Sequence, residues 1–313
     1  MRVFRYFRSV DEDIRGAVVA VGNFDGVHLG HQAVIGEAGR IARAMGRQWA
    51  VLTFEPHPRS VFRPDDPAFR ITPARAKIEA IRGLGVDALI VKRFDLAFSQ
   101  CPAEEFVSRV LVENLGVRHL IAGYDFHFGH KRQGDCAMLL EMGGKLGFDF
   151  TVVHEASDDG GGAYSSTRVR EHIAAGEVRA AAEILGRPYH ISDRVRRGDA
   201  RGRTIGFPTA NLTLGNHVQP KLGVYAVEAD AGDGTLIKGV ANIGRRPTFD
   251  GEGVVLEAHL LDFEGDLYGR RLDVRLIEFI RPEKKFDGID ALKAQIAGDR
   301  DRAREILNAG TAS

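Results

Sequence analysis

The sequence predicts two domains: an α/β domain built on an open parallel sheet, then a small antiparallel β-barrel that closes with a C-terminal helix. The chain has 313 residues, which is more than a single hydrophobic core usually serves. Between residues 17 and 155, short apolar runs alternate with helical patterns, as in a parallel sheet whose strands are joined by helices. Beyond about residue 186, apolar runs follow one another across turn-rich segments without crossover helices, which favours antiparallel strands.

The composition narrows the classes of partner that the protein is expected to bind. The 43 basic and 43 acidic residues cancel, so no charge excess favours a nucleic acid or an anionic membrane. Cys101 and Cys136 form no CxxC pair and are not interleaved with histidines, which predicts reduced thiols. No apolar run approaches the roughly 20 residues that span a bilayer, and the N-terminus lacks a signal-like apolar core. We therefore expect a cytoplasmic protein that acts on small molecules, without nucleic acid or membrane as partner.

In the first domain, residues 1–185, the strands are expected at 17–24, 49–56, 87–94, 119–126 and 148–155. The first helix has an apolar stripe at helical spacing, formed by Val34, Ile35, Ala38, Ile41, Ala42 and Met45. The next helix is expected to begin at Thr72 as N-cap, with Pro73 at its first position. Further helices are expected near 102–114 and 135–146, and two short ones within 165–186, split at Gly176. The break at 186–189 sets the domain boundary.

The second domain, residues 186–313, has predicted strands at 224–229, 235–244, 254–263 and 272–280, separated by turn signals such as DAGDG and DGEG. An amphipathic helix is expected near 288–308. Its apolar stripe consists of Ile289, Leu292, Ile296, Ala303, Ile306 and Leu307.

The segment GNFDGVHLGHQ (22–32) connects the first strand to the first helix, which is where open α/β sheets bind ligands. Its spaced glycines let the backbone approach a phosphate, and the helix N-terminus attracts anions. His28 and His31 are three residues apart and can meet on one side of the turn. Their imidazoles can donate hydrogen bonds to triphosphate oxygens and to charge at the α-phosphorus. The alternative is two surface histidines in a glycine-rich turn.

This HxGH element resembles the nucleotidyltransferase superfamily, and FEPHP (54–58), GYDFHFGHKRQGD (123–135) and SSTRVR (165–170) resemble its FAD-synthetase branch. The resemblance implies a Rossmann-like domain that transfers AMP from ATP to FMN, with His28 and His31 as the catalytic residues. It implies ATP binding by Gly22, Phe24, Asp25, Gly30, Ser165, Ser166, Thr167 and Arg170. It implies flavin binding by Phe54, His57, Pro58, Asp125, Phe126 and Phe128. Two alternatives stay open: Asp25 as a helix cap, and Phe126 and Phe128 as core residues.

The segment GDARGRTIGFPTANL (198–212) resembles the riboflavin-kinase signature. Thr209 and Asn211 are alternate residues of an extended segment, so their side-chain oxygens face one side and can coordinate Mg²⁺ that bridges ATP phosphates. The alternative is a strand end in which neither oxygen binds metal. The residues expected to bind ATP here are Gly198, Arg201, Gly202, Arg203 and Asn211.

In VVLEAHLLDFEGDLYG (254–269), the apolar side chains alternate with Glu257 and His259, which share the other strand face. The segment resembles the kinase family's pattern, in which the glutamate is the general base. Such a carboxylate can take the proton of the ribityl 5′-hydroxyl as it attacks the γ-phosphorus. Taken alone, Glu257 would be interpreted as a surface charge. The general-base role is favoured by three accompanying segments, ANIGRRPTF (241–249), DLYG and FIRPEKKF (279–286). Asn242 and Arg245 are expected to bind flavin.

Both motif sets follow the order of the prokaryotic bifunctional riboflavin kinase/FAD synthetase family, and the resemblance covers nearly the full chain. It implies Mg²⁺ as cofactor, ATP as co-substrate, and riboflavin, FMN, FAD, ADP and pyrophosphate as the other ligands. A single-activity adenylyltransferase would leave residues 187–313 unexplained. A flavin-binding sensor or storage protein would be free to lose His28, His31, Thr209 or Glu257, and all four are present. The oligomeric state is left open, with a weak homo-oligomer among the expectations.

Overall fold

The computed structural model describes residues 1–5, 10–154, 162–197, 207–248 and 251–309, without the side chains of residues 246–248 and 251–252. The chain forms two compact units. The first consists of Met1–Pro67 with Thr72–Ser165, and the second consists of Ala68–Ile71 with Ser166–Ser313. The two helices within 165–186 therefore belong to the second unit. The functional boundary between residues 185 and 186 stays a prediction.

The first unit contains a parallel sheet in the order β1-β4-β3-β2-β5-β6. Its strands are β1 (Arg2–Phe4), β2 (Val18–Val21), β3 (Trp49–Glu55), β4 (Ala88–Arg93), β5 (His119–Gly123) and β6 (Asp149–Val153). This architecture confirms the predicted open parallel sheet, and each predicted strand is present in a shorter form. The sequence did not indicate β1, because three residues are too few to show a period.

The helices of the first unit are α1 (Leu29–Met45), α2 (Pro58–Phe62), α3 (Ala74–Arg82), α4 (Ala103–Glu105), which continues as π-helical turns over Phe106–Asn114, and α5 (Cys136–Leu146). The predicted stripe of α1 is buried except at its last position, Met45, which is exposed one residue before the helix ends at Gly46. The predicted cap of α3 is wrong by one residue. Pro73 occupies the N-cap position, because the Thr72 hydroxyl instead accepts a hydrogen bond from the amide of Gly26.

Both faces of this sheet are covered, as is usual for parallel strands. Along β2, Val19 and Val21 belong to one buried apolar cluster, whereas Val18 and Ala20 belong to the other. The chain runs from β2 through β3 to β4 on one side and then returns to place β5 on the other side of β2. The strand order therefore reverses between β2 and β5. Ligands of open α/β sheets bind at such a point, beyond the carboxyl ends of the strands.

The second unit contains an antiparallel sheet in the order β7-β12-β9-β10-β11-β8. Its strands are β7 (Tyr189–Arg194), β8 (Ala210–Thr213), β9 (Gly223–Asp230), β10 (Leu236–Thr248), β11 (Gly251–Leu260) and β12 (Arg271–Arg281). A bridge between Arg196 and Asn211 links the segment after β7 to β8, so the sheet is nearly closed. This confirms the predicted barrel, although β7 and β8 were not indicated by the sequence.

Helices α6 (Ser166–Ala175), α7 (Val178–Leu185) and α8 (Ile289–Ala309) complete the second unit. The predicted split at Gly176 is confirmed. Helix α8 packs on the barrel through Ala303 and Leu307, which are buried with Val224, Ala226 and Val240. Ile289, the first residue of the predicted stripe, is instead 57% exposed, because it lies in the first turn of the helix. Among the described residues, we find no helix with the length and apolar character needed to cross a membrane.

Candidate active sites

The turn that follows β2 has an unusual backbone. Phe24 and Val27 have φ angles of 48° and 44°, in the left-handed region that side-chain-bearing residues seldom occupy. Both side chains are buried. The ring of Phe24 folds back over Gly22, so a Cβ atom at residue 22 would lie 2.9 Å from that ring. The absence of a side chain at Gly22 therefore permits the shape of the turn.

The two histidines of this segment lie together at the amino end of α1. His28 is the N-cap residue, and its Nδ1 accepts a hydrogen bond of 3.3 Å from the amide of His31. The two rings stack with their centroids 3.6 Å apart and an interplanar angle of 22°. A Cβ at Gly30 would lie 3.2 Å from the His28 ring and 3.2 Å from the carbonyl oxygen of Tyr164. The structure thus unites two imidazoles beside a helix N-terminus, where amide groups favour an anion.

Asp25 anchors this turn to the start of α3. Its carboxylate is buried and accepts a hydrogen bond of 3.1 Å from the amide of Thr72. The Thr72 hydroxyl in turn accepts a bond of 2.8 Å from the amide of Gly26. Asp25 thus holds the turn against Thr72, and its contribution to ATP binding stays a prediction.

Sequence reasoning missed Lys77, which is buried beneath the same turn. Its side chain is 1% exposed, and its Nζ donates a 2.9 Å bond to the carbonyl oxygen of Asn23. The signal was present in the pattern of α3, where Lys77 lies on the same helical side as the buried Ile81. A lysine in an apolar stripe is rarely buried without a charged partner. Lys77 pairs with Glu55 at 2.6 Å.

The predicted flavin-binding aromatics belong to a larger group of phenylalanines. Phe126 and Phe128 face the same side, as expected, with ring centroids 5.7 Å apart. Phe128 is buried and packs against Phe106, whereas Phe126 is only partly buried. Phe54 is also buried and packs against three rings that the motifs did not include, namely Phe94, Phe98 and Phe106. Their predicted contact with flavin is untested, and Phe126 offers the more accessible ring.

Of the other residues predicted to bind ATP or flavin in adenylyl transfer, some lie in the first unit and some in the second. His57 caps α2 by accepting a bond of 3.1 Å from the amide of Arg59, and Pro58 is the first residue of that helix. Asp125 is exposed after β5. Ser165 ends the first unit, whereas the rest of SSTRVR lies in α6 of the second unit. There the Arg170 side chain donates a 2.8 Å bond to the carbonyl oxygen of Phe69. The ATP-binding role of this motif stays a prediction.

In the second unit, three predicted kinase residues lie side by side on neighbouring strands. Glu257 of β11 is directly opposite Asn211 of β8 and also directly opposite Asn242 of β10. Directly opposite residues in a sheet project to the same face with Cβ atoms about 5 Å apart. We call this row the Asn211–Glu257–Asn242 ladder. The predicted apolar face of β11 is confirmed by the burial of its alternate residues Leu256, Ala258 and Leu260.

A cavity of about 100 Å³, here called the PTAN cavity, opens beside the PTAN segment, residues 208–211. Its lining includes Thr209 and Asn211, together with Asp266 and Tyr268 of the DLYG motif. The guanidinium of Arg197 lies 5.6 Å from the centre of the Tyr268 ring. Gly198, Arg201, Gly202 and Arg203, which were predicted to cover the phosphates, lie outside the described residues. The oxygens of Thr209, Asn211 and Asp266 are the hard donors that Mg²⁺ prefers, so the cavity suits the predicted ion.

Asp193 fixes β8, the strand that carries Asn211. Its carboxylate accepts bonds from the hydroxyl of Thr213 at 2.5 Å and from the amide of Thr213 at 3.2 Å, which ties β8 to β7. Burial alone would raise the pKa of this carboxyl, but the hydrogen bonds from Thr213 and the amide of Arg194 outweigh burial and hold the pKa below its ordinary value. Asp193 therefore stays ionised and keeps β8 in place near neutral pH.

Asn242 and Arg245, the other predicted flavin-binding residues, lie farther along β10. Asn242 is partly buried and Arg245 is exposed. The carboxylate of Glu283, from the FIRPEKKF segment, lies close to Gly244 between them. Their contact with flavin stays a prediction. Among the described residues, no group of three or more histidine, cysteine, aspartate or glutamate side chains could hold a metal ion.

Comparison with known proteins assigns a family to each part of the chain. The family model described as FAD synthetase matches residues 10–168, and the one described as riboflavin kinase matches residues 185–307. The chain is 44% identical over 292 residues to the bifunctional riboflavin kinase/FMN adenylyltransferase of Escherichia coli strain K12, covering 93% of each chain. It is 40% identical to the protein of that name from Haemophilus influenzae, over 98% of this chain and all of that one.

A solved structure has a similar fold. A crystal structure described as a macrolide-efflux protein from Streptococcus pneumoniae superposes with a TM-score of 0.85 and 30% sequence identity. The similarity covers 96% of this chain and 98% of that chain.

Proposed function

Because the chain belongs to the bifunctional riboflavin kinase/FMN adenylyltransferase family, we propose that it makes FAD from riboflavin in two ATP-dependent steps. The domain 186–313 phosphorylates riboflavin to FMN. The domain 1–185 transfers AMP from ATP to FMN and releases pyrophosphate. The observation that carries this proposal is that the two family models match different parts of one chain.

The paired imidazoles at the start of α1 support the adenylyl-transfer step. In that step, a phosphate oxygen of FMN bonds to the α-phosphorus of ATP, and the bond from that phosphorus to the bridging oxygen breaks. The electron pair leaves with pyrophosphate. Negative charge grows on the α-phosphate oxygens, where His28 and His31 would donate hydrogen bonds. The amide groups of the turn and of the first turn of α1 would hold the remaining phosphates.

The Asn211–Glu257–Asn242 ladder supports Glu257 as the base of the kinase step. Glu257 would accept the proton of the ribityl 5′-hydroxyl while that oxygen bonds to the γ-phosphorus and the bond to the β-phosphate oxygen breaks. ADP then leaves. Thr209 and Asn211 would hold Mg²⁺, and the bound ion neutralises charge on the ATP phosphates. Asn242 would orient the flavin from the neighbouring strand.

Chromatography of the flavins tests the whole proposal. The protein is incubated with riboflavin, ATP and Mg²⁺, and separately with FMN, ATP and Mg²⁺. We expect FMN followed by FAD in the first reaction and FAD alone in the second. FAD from FMN without any product from riboflavin would favour a single-activity adenylyltransferase. Stoichiometric flavin binding with no product in either reaction would favour a sensor or storage protein.

A further inference from the structure

The buried ammonium group of Lys77 lies at the centre of a cluster of acceptors in the first unit. Besides its 2.9 Å bond to the carbonyl oxygen of Asn23, its Nζ lies 3.3 Å from both the Thr53 hydroxyl and the carbonyl oxygen of Phe54. The Glu55 carboxylate lies 2.6 Å away. The hydroxyl of Thr53 also donates to the carbonyl of Asn23 at 3.1 Å. Lys77 therefore contacts backbone as well as side-chain acceptors.

These acceptors come from the two segments that carry the adenylyl-transfer motifs. Asn23 lies in the turn that leads from β2 to the two histidines. Phe54 and Glu55 end β3 and begin FEPHP. Because one ammonium group bonds to both segments, it fixes the distance between the turn and the end of β3. No motif of the sequence assigns this task to a residue of α3.

The turn needs such support because its backbone is strained. Two side-chain-bearing residues with positive φ, Phe24 and Val27, lie within five residues of Asn23. Such a conformation is unfavourable for a residue with a side chain and persists only where neighbouring groups impose it. Thr72 holds the turn at Asp25 and Gly26, and Lys77 holds it at Asn23. The start of α3 thus restrains the turn at points on both sides of Phe24.

We propose that Lys77 is a positioning residue for adenylyl transfer, an inference that rests on the function proposed above. Lys77 lies beneath the turn and acts through the Asn23 and Phe54 carbonyls rather than on the nucleotide. It keeps the strained turn in the shape that sets His28 and His31 against the α-phosphate. Without it, the turn relaxes, substrates still bind, and the reacting groups are misaligned.

The variant Lys77→Met tests this proposal, because methionine has a similar length and lacks the ammonium group. Misalignment of about 1 Å can cost roughly 100-fold in rate, so we expect kcat for FMN to FAD to fall about 100-fold while the KM for FMN changes less than about threefold. Riboflavin phosphorylation in the same preparation should be unchanged, since its residues lie in the second unit. The matched control is Lys145→Met, which removes an exposed lysine that pairs with Glu141 in α5 and should leave both activities unchanged.

A double variant separates positioning from stability. Lys77→Met alone leaves the Glu55 carboxylate without its cation, which should lower the melting temperature. Adding Glu55→Gln removes that partly buried charge and should recover most of the lost stability. The Asn23 and Phe54 carbonyls still lack the bond from Lys77, so kcat should stay low in the double variant.

The outcomes distinguish the inference from the function on which it rests. A wild-type protein that makes no FAD from FMN overturns the proposed function itself. An active wild type together with a Lys77→Met variant of normal kcat overturns the positioning role. A double variant that regains both stability and kcat also overturns it, because Lys77 would then contribute only to folding. A double variant that regains stability alone supports it.

Discussion

Replacement of Glu257 by glutamine removes a carboxylate while keeping the shape of the side chain. In the structure, Glu257 stands between Asn211 and Asn242 on adjacent strands, and its strand neighbours Leu256 and Ala258 are fully buried. Glutamine can keep this place in the barrel. It cannot accept the proton of the riboflavin 5′-hydroxyl, so the variant isolates the chemistry of the base from the packing of the strand.

The expected magnitude follows from the role of a general base. Such a group contributes about 10²–10⁴-fold to a rate, so FMN formation should fall at least about 100-fold. That loss corresponds to roughly 2.7 kcal/mol of transition-state stabilisation. Conversion of added FMN to FAD should continue at the normal rate, because His28 and His31 lie in the other unit.

The assay follows FMN formation under initial-rate conditions, with Glu228→Gln as the matched control. Glu228 is a glutamate of the same barrel, on β9, where it lies opposite Lys238 and Arg275 rather than beside the PTAN cavity. We expect Glu228→Gln to keep its kinase activity. Normal FMN formation by Glu257→Gln would refute the assignment of the base. Equal losses in both glutamine variants would indicate a general effect on the barrel.

Three other predictions concern catalysis and stability. The His31→Ala variant should lose adenylyl transfer by at least about 100-fold while FMN accumulates, and normal FAD formation would show that the paired rings are not catalytic. The Asp299→Ala variant should destabilise the barrel by about 3 kcal/mol in chemical denaturation, because it removes the two bonds of 2.6 and 2.8 Å that the buried carboxylate accepts from the partly buried Arg281; an unchanged midpoint would contradict this. Burial lowers the pKa of His190 from 6.5 to about 4. As the pH falls, the imidazole is therefore protonated in the unfolded chain before it is protonated in the folded one. The free energy of unfolding should decrease between about pH 6.5 and 4 for this reason. In the His190→Leu variant, the decrease in unfolding free energy over this pH range should be smaller by up to roughly 3 kcal/mol. A pH profile of stability identical to that of the wild type would rule this out.

The sequence predicted the long elements well, because each gives several residues of periodic signal. Strand β3 has seven residues, five of them buried, and α1 has a full stripe of buried positions. Strands β1 and β8 have three and four residues, too few for a period to be visible. The cap of α3 was misplaced for another reason. Thr72 bonds to Gly26, a residue 46 positions earlier in the chain, and local capping rules do not include such a partner.

In the candidate sites, too, local sequence patterns predicted some features, whereas contacts between residues far apart in the chain could not be predicted. The spacing of His28 and His31 predicted that they could meet, and their rings do stack. The alternation of apolar and polar residues along β11 predicted that Glu257 lies on the face opposite the apolar one. Its position opposite Asn211 and Asn242 could not be predicted, because it depends on how β11 pairs with β8 and β10. The burial of Lys77 depends on acceptors 22 to 54 positions away. Its place in the helix stripe gave the only signal in the sequence.

The protein is proposed to carry out two phosphorus transfers at different atoms of ATP. The most direct measurement follows riboflavin conversion with ATP labelled either at the γ-phosphate or at the α-phosphate. We predict that γ label enters FMN first and then FAD, whereas α label enters FAD only. Appearance of α label in FMN, or FAD formation from riboflavin without γ label, would contradict the assignment of the two reactions.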